Sequence, residues 1–181
     1  MKPRAYTSEG IVLARRNYGE ADRILVLCTK DFGKISLIAK GIRRPKSKKR
    51  GHVEVFNKVK FQAVSGRGID IMTEAEVIED FKEIRKTLRK ISLAYYLMEA
   101  TGRITHESEE NVSVYNLLLK TLEQLKTTKL LKKLRLQFVT KLLIISGYWP
   151  KEKELTNPDE VLEEVTERAI YAERVGKRMI Q

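Results

Sequence analysis

The sequence has few of the residues from which catalytic and metal sites are most often built. Its 181 residues include one cysteine and two histidines. Cys28 alone excludes an intramolecular disulfide, and His52 and His106 are too few ligands for an ordinary zinc centre. No glycine–lysine pair leads into serine or threonine, so a P-loop is absent as well. We therefore expect no metal and no cofactor, and we interpret the chain as a binding protein and not an enzyme.

Long hydrophobic runs are also missing. No apolar stretch reaches the roughly 20 residues of a membrane span, and the start, residues 1–4, lacks the apolar core of a signal peptide. We therefore expect a protein of the cytoplasm with no membrane partner. Its 42% hydrophobic residues are enough for a folded core.

Positive charge is abundant. The chain carries 36 Lys and Arg against 24 Asp and Glu, a net charge of +12. The excess lies within residues 1–150, whereas residues 151–181 are slightly acidic. Because basic proteins bind polyanions by releasing condensed counterions, a polyanionic partner is expected.

Two runs of basic residues stand out. Residues 40–50 contain seven cations and no acid, which favours an anion-binding loop because like charges repel without a counter-charge. A second acid-free run spans residues 124–151, and much of it lies on a predicted helix. A solvated helix face and a contact with a partner explain these cations equally well. The candidate contacts there are Lys129, Lys132, Lys133 and Arg135.

Hydrophobic periodicity predicts strands first. Short apolar runs around 10–17, 23–29 and 35–39 are followed by alternation over 53–64 and 69–77. Five short strands indicate a small antiparallel barrel. Three aromatic residues lie near its turns, namely Tyr18, Phe32 and Phe56. We interpret each of them as core or turn packing, so base stacking should be a minor contribution.

From Phe81 the apolar residues recur every three or four positions, at Phe81, Ile84, Leu88, Ile91, Tyr95 and Met98. This pattern predicts a helix of about five turns ending near Gly102, two further helices, and a last helix that starts at Pro158 after an Asn157 cap. The fold class is therefore α+β. We expect a β-barrel domain over residues 1–80 and a helical domain over residues 81–181, with an acidic helix within 151–181.

Several segments resemble the RecO family of recombination mediators. They are residues 9–13, 18–22, 33–34, 39–48, 73–78, 138–143 and 147–150. The Ala-Lys-Gly-x-Arg-Arg segment that begins at Ala39 is the most specific of them. The match runs from about residue 5 to residue 150.

The resemblance implies an N-terminal OB-fold followed by a helical domain. It also implies binding of single- and double-stranded DNA without sequence specificity, and annealing of complementary strands. The implied partners are RecR and single-strand-binding protein, with RecA loaded indirectly, and the implied location is the cytoplasm at the nucleoid. In some members the helical domain receives the acidic tail of single-strand-binding protein.

The predicted DNA-binding residues combine the basic run with the resemblance. They are Lys34, Lys40, Arg43, Arg44, Lys46, Lys48, Lys49 and Arg50. Many members carry a cysteine-rich zinc module after the Gly-Tyr-x-Pro segment. Residues 151–181 contain no Cys or His, so the sequence resembles a short form without that module, and zinc binding is not expected.

Two other functions fit the same composition. One is an RNA-binding or ribosome-associated OB-fold protein, which differs from the first interpretation in preferring RNA and lacking annealing. The other is an adaptor whose positive charge meets an acidic peptide and which has no affinity for nucleic acid.

Overall fold

The computed structural model describes residues 4–47, 51–153 and 155–166. These residues form two compact units. The first contains the described residues of 1–80 together with the segment 106–112, and the second contains those of 81–105 and 113–166.

The first unit is a closed five-stranded barrel with strand order β1-β2-β3-β5-β4. Its strands are β1 (Ala5–Tyr18), β2 (Asp22–Thr29), β3 (Gly33–Ala39), β4 (Lys58–Val64) and β5 (Asp70–Glu79). This number of strands and this closure are typical of an OB-fold. The predicted α+β fold, a barrel followed by helices, is confirmed.

The barrel differs from the prediction in one strand pair. All neighbouring strands are antiparallel except β3 and β5, which pair in parallel through Leu37 with Asp70 and Ile38 with Ile71. A parallel pair needs a long crossover connection, and the loop after β3 together with β4 provides it. The expectation of a wholly antiparallel barrel is therefore wrong at this seam.

Buried and more exposed residues alternate along the strands because one face of each strand lies against the barrel interior. In β3 every second residue is buried, and the same is true of Val59, Phe61 and Ala63 in β4. The interior also contains Tyr6, Val12, Leu25, Leu27, Ile35, Leu37 and Met72. Side-chain alternation with period two thus builds one continuous apolar core.

The predicted strand over 53–64 is shorter than its pattern. Val53 and Val55 are buried as expected, but β4 begins at Lys58. Phe56 has a left-handed backbone with φ 60°. Its N–H donates to the carbonyl of Val12 at 2.8 Å, and the Val12 N–H donates to the carbonyl of Asn57 at 3.0 Å. The residues before Lys58 therefore form a buried turn. Their apolar alternation resembles that of a strand because alternate side chains are buried there as well.

A segment from beyond residue 80 packs on the barrel. We call residues 106–112 the strap. Glu107 forms a bridge with Lys34, and the Ser108 N–H donates to the Lys34 carbonyl at 2.8 Å. A Cβ on Gly33 would lie 1.9 Å from the carbonyl oxygen of Glu109. The strap therefore lies directly against the start of β3.

The second unit is helical. Its helices are α1 (Lys82–Arg85), α2 (Leu88–Ile104), α3 (Val112–Thr127), α4 (Leu131–Ile145) and α5 (Pro158–Thr166). The last helix begins at Pro158 as predicted. The rest of the predicted acidic helix lies outside the described residues. No helix in the described part of the chain is long and apolar enough to cross a membrane.

The first predicted helix is wrong in its length and in part of its buried face, because Phe81, Ile84 and Met98 are buried as predicted and other members of the stripe are not. Thr87 is extended, so α1 and α2 are separate, and α2 continues past Gly102 to Ile104. Leu88 and Tyr95, two members of the predicted apolar stripe, are 63% and 44% exposed. The buried residues of α2 are Leu93, Ala94, Tyr96, Leu97, Met98, Ala100, Thr101 and Ile104.

Candidate nucleic-acid interface

The loop that follows β3 carries a cluster of exposed cations. We call residues 40–47 the basic loop. Its side chains Lys40, Arg43, Arg44 and Lys46 are all exposed. The backbone is a compact series of turns, with the Arg44 N–H donating to the Gly41 carbonyl at 3.1 Å and the Ser47 N–H to the Arg44 carbonyl at 3.0 Å. The other predicted cations of this run, Lys48, Lys49 and Arg50, lie outside the described residues.

The basic loop is fixed to the hairpin that joins β1 and β2. The Gly41 N–H donates to Oδ1 of Asp22 at 2.7 Å, and the Arg43 N–H donates to the carbonyl of Ala21 at 2.9 Å. Between them Ile42 is fully buried. An apolar anchor and two hydrogen bonds thus hold the loop, while its cations point to solvent.

The cations of the basic loop keep their charge exposed to solvent. Across residues 4–47, 51–153 and 155–166, no carboxylate forms an ion pair with any cation of the basic loop. Arg43 Nη1 donates to the Gly19 carbonyl at 3.2 Å, a neutral acceptor. Charges of one sign on one surface concentrate counter-ions, so this loop is suited to a polyanion.

The hairpin adds arginines that sequence reasoning missed. Arg16 is exposed on β1. Arg23 lies on β2 opposite Asn17, and its Nε donates to Asn17 Oδ1 at 3.3 Å. Arg15 forms an ion pair with Glu54 at 2.5 Å. Arg15 and Arg16 are adjacent and Arg23 lies beyond the turn, so the three form no long basic run. The turn between two apolar segments, with basic residues on both sides, is the signal that could have found them.

Lys34 is not brought together with the basic loop. It lies at the opposite end of β3, roughly 20 Å from Lys40 at the usual rise per strand residue, and it is half-buried beneath the strap. Burial lowers the pKa of the Lys34 ammonium, and the nearby charge of Glu107 partly offsets this effect. A cation in this position is less available to an external phosphate than those of the basic loop.

The four predicted contact residues around α4 differ in their exposure to solvent. Lys129, Lys132 and Lys133 are exposed. Arg135 is half-buried, with Nη2 2.9 Å from Oδ2 of Asp159 and its guanidinium 5.4 Å above the ring of Tyr96. The Tyr96 hydroxyl donates to the same carboxylate at 2.5 Å. Arg135 therefore joins α5 to α2 and α4, whereas the three lysines face solvent.

A cleft beside the strap has an acidic lining. This cleft of about 610 Å³, between the strap and the β4–β5 turn, is lined by Asp70, Glu107 and Glu110 among other residues. Asp70 accepts hydrogen bonds from the Tyr6 hydroxyl at 2.7 Å and the Gly66 N–H at 3.2 Å. In the described residues no group of three or more His, Cys, Asp or Glu is arranged to hold a metal ion. Its acidic lining disfavours phosphate, in contrast to the basic loop.

The closed barrel, its exposed basic loop and the helices that follow define an OB-fold protein with a helical second part. The chain matches the family model "Recombination protein O N terminal" over residues 1–81 and the model "Recombination protein O C terminal" over residues 85–154. The chain belongs to the RecO family, so the resemblance noted from its sequence is confirmed.

Named relatives agree with this assignment. A protein called DNA repair protein RecO from Dehalococcoides mccartyi is 36% identical over 156 residues, covering 86% of this chain and 62% of the relative. Proteins of the same name are 32% identical in a Roseiflexus species, over 93% of this chain and 59% of the relative, and 38% identical in Alkaliphilus metalliredigens, over 79% and 58%. The chain thus spans about three fifths of the length of these curated relatives.

Proposed function

We propose that this chain binds DNA through the basic loop and acts in recombinational DNA repair as a non-catalytic mediator. The observation that carries the proposal is the group of four exposed cations on an anchored loop, none of them in an ion pair within the described residues. The similarity to proteins named DNA repair protein RecO supports the repair role.

The basic loop suits the sugar-phosphate backbone. Arg43 and Arg44 are able to bond a phosphate through two N–H groups at once, whereas Lys40 and Lys46 act as point charges. Contacts to phosphate carry no sequence information. The proposed binding is therefore independent of sequence and extends to both single- and double-stranded DNA.

Strand annealing follows from the same electrostatics. Two complementary strands repel each other because every nucleotide carries a negative charge. A surface that neutralises phosphates on both strands lowers this repulsion and leaves the base edges available for pairing. No bond is made or broken by the protein in this scheme, and no cofactor is needed.

The proposed protein partners are RecR, RecA and single-strand-binding protein. We infer that the chain works with RecR to load RecA onto DNA coated with single-strand-binding protein, in the cytoplasm at the nucleoid. An acidic peptide from such a partner is a second candidate ligand. The exposed Lys132 and Lys133 lie on α4 beside Leu136, which is 39% exposed, and cations next to an exposed apolar side chain favour a peptide that is both acidic and apolar.

Annealing of complementary oligonucleotides tests the proposal. The variant Lys40→Glu with Arg43→Glu should anneal at least roughly tenfold more slowly than the unchanged chain in moderate salt, because phosphate contacts are lost. The control is Lys30→Glu with Arg67→Glu, which makes the same change in net charge with two exposed residues at the other end of the barrel. Equal rates for the two variants would contradict the proposed site. Stronger binding to RNA than to matched DNA, without annealing, would favour an RNA-binding protein instead.

A further inference from the structure

Tyr18 is an exposed aromatic side chain of the barrel. It is 52% exposed at the end of β1. The other aromatic residues of the described barrel, Tyr6, Phe32, Phe56 and Phe61, are buried or half-buried. The interpretation of Phe32 and Phe56 as packing residues is therefore confirmed, whereas Tyr18 is not a core residue. A tyrosine ring left in water at a turn contributes little to folding and is available to a ligand.

The backbone holds Tyr18 next to the basic loop. Tyr18 pairs with Asp22 across the hairpin, and Asp22 accepts the hydrogen bond from Gly41 of the basic loop. Gly19, the next residue along, accepts the hydrogen bond from the Arg43 guanidinium at 3.2 Å. The exposed ring therefore belongs to the residue directly before the one that contacts the Arg43 guanidinium.

The face of the barrel where bases could otherwise lie is partly covered. In OB-folds oligonucleotides commonly bind the outer surface of strands β2 and β3. Here the strap lies against the start of β3, and Ser36 on that strand donates to Oε1 of Glu107 at 2.8 Å. A negative carboxylate on this surface disfavours a strand of DNA there. The uncovered end with the hairpin and the basic loop remains.

We propose that the Tyr18 ring stacks on an unpaired base of a single DNA strand whose phosphates lie on the basic loop. The proposal rests on the proposed DNA-binding function and adds a preference to it. Every base has a π-face, so stacking tolerates any sequence. In a duplex the bases are already stacked on each other, and Tyr18 gains nothing. Tyr18 is thus the residue that makes single strands bind more tightly than duplexes of equal charge.

Three oligonucleotide probes separate stacking from charge. They are a fluorescein-labelled dT15, the same length of backbone without bases, and a 15-base-pair duplex. Fluorescence polarisation with Tyr18→Leu should show about a fivefold to hundredfold loss of affinity for dT15, the usual range for removing one stacked aromatic residue. Affinity for the baseless strand and for the duplex should stay within about twofold of the unchanged chain, because neither probe offers a base to the ring.

Tyr18→Phe is the matched control. It keeps the ring and loses only the hydroxyl, so its affinity for dT15 should equal that of the unchanged chain. Thermal unfolding of both variants should be nearly unchanged because the side chain is exposed. Tyr18→Leu binding dT15 normally, or losing equal affinity for all three probes, would overturn the inference.

The proposed function fails in a different way. If Lys40→Glu with Arg43→Glu weakens binding to all three probes while Tyr18→Leu changes none, the basic loop binds DNA and only the stacking inference is wrong. If the unchanged chain binds no probe, both proposals are wrong.

Discussion

Gly33 is the residue at which the strap approaches the barrel most closely. Its φ is 63°, a conformation that side chains with a Cβ disfavour, and an added Cβ would lie 1.9 Å from a carbonyl oxygen of the strap. No flexible side chain can move aside there, because the obstructing atom is backbone. The residue type at position 33 is thus determined by a segment more than 70 residues away in sequence.

Gly33→Ala should therefore destabilise the protein more than the left-handed backbone alone explains. The control is Gly19→Ala, where φ is 55° and no atom lies within 4 Å of the added Cβ. We expect the control to lower the free energy of unfolding by about 1 kcal/mol and Gly33→Ala to lower it by at least about twice as much. Urea unfolding followed by circular dichroism measures both values. Equal losses would show that the strap does not press on β3.

The reactivity of the Cys28 thiol tests whether this side chain is buried. Its side chain is buried, and this burial raises the pKa of the thiol to about 12. The thiolate is the reactive form, so at pH 8 the folded protein should react with Ellman's reagent very slowly. One thiol per chain should appear at once in denaturant. Rapid labelling of the folded protein would contradict the structure at β2.

The sequence predicts which residues are charged but not which of them face solvent. Lys34 and Lys40 flank the same predicted strand, and nothing local distinguishes them. The strap covers the first and leaves the second exposed. The exposure of Tyr18 was not predictable for a related reason, since the exposure of an aromatic side chain depends on residues distant in sequence.

At the scale of elements, the strands and helices follow from periodicity, and their exact faces do not. In α2 the positions Leu88, Ile91 and Tyr95 have helical spacing, and so do Leu93, Leu97 and Thr101 on the buried face. Two stripes with the same period compete, and packing in the second unit decides between them. The start of α5 at Pro158 was predictable because a proline at the first turn acts locally.

Asp159 joins three of these helices. Asp159→Asn removes the charge that Arg135 contacts, so the free energy of unfolding should fall by about 1–2 kcal/mol. The neighbouring Glu160→Gln makes the same change of charge at an exposed site and should have almost no effect. Thermal unfolding monitored by circular dichroism compares the two. Equal stability of the two variants would show that Arg135 is not a structural residue.

At the scale of the whole chain, the order of strands before helices and the family resemblance were predictable from the sequence. The parallel pairing of β3 with β5 and the position of the strap were not, because each depends on contacts between distant segments. The predicted cations do not all lie on one surface. Those of the basic loop are exposed together, whereas Lys34 is half-buried near Glu107 and Arg135 forms an ion pair with Asp159.

Charge is clustered locally on the barrel. The basic loop carries four exposed cations, whereas Asp70, Glu107 and Glu110 line the cleft beside the strap. Phosphates are attracted to the first surface and disfavoured at the second. Association should therefore be fast at low salt and slow at high salt.

The salt dependence of single-strand binding tests the central claim most directly, because it counts the phosphates that the basic loop neutralises. With four cations engaged, a plot of log affinity against log salt should have a slope of about −3 for the unchanged chain and about −1.5 for Lys40→Glu with Arg43→Glu. The Lys30→Glu with Arg67→Glu control should keep the steeper slope. One common slope for all three proteins would contradict the assignment of the basic loop as the DNA-binding site.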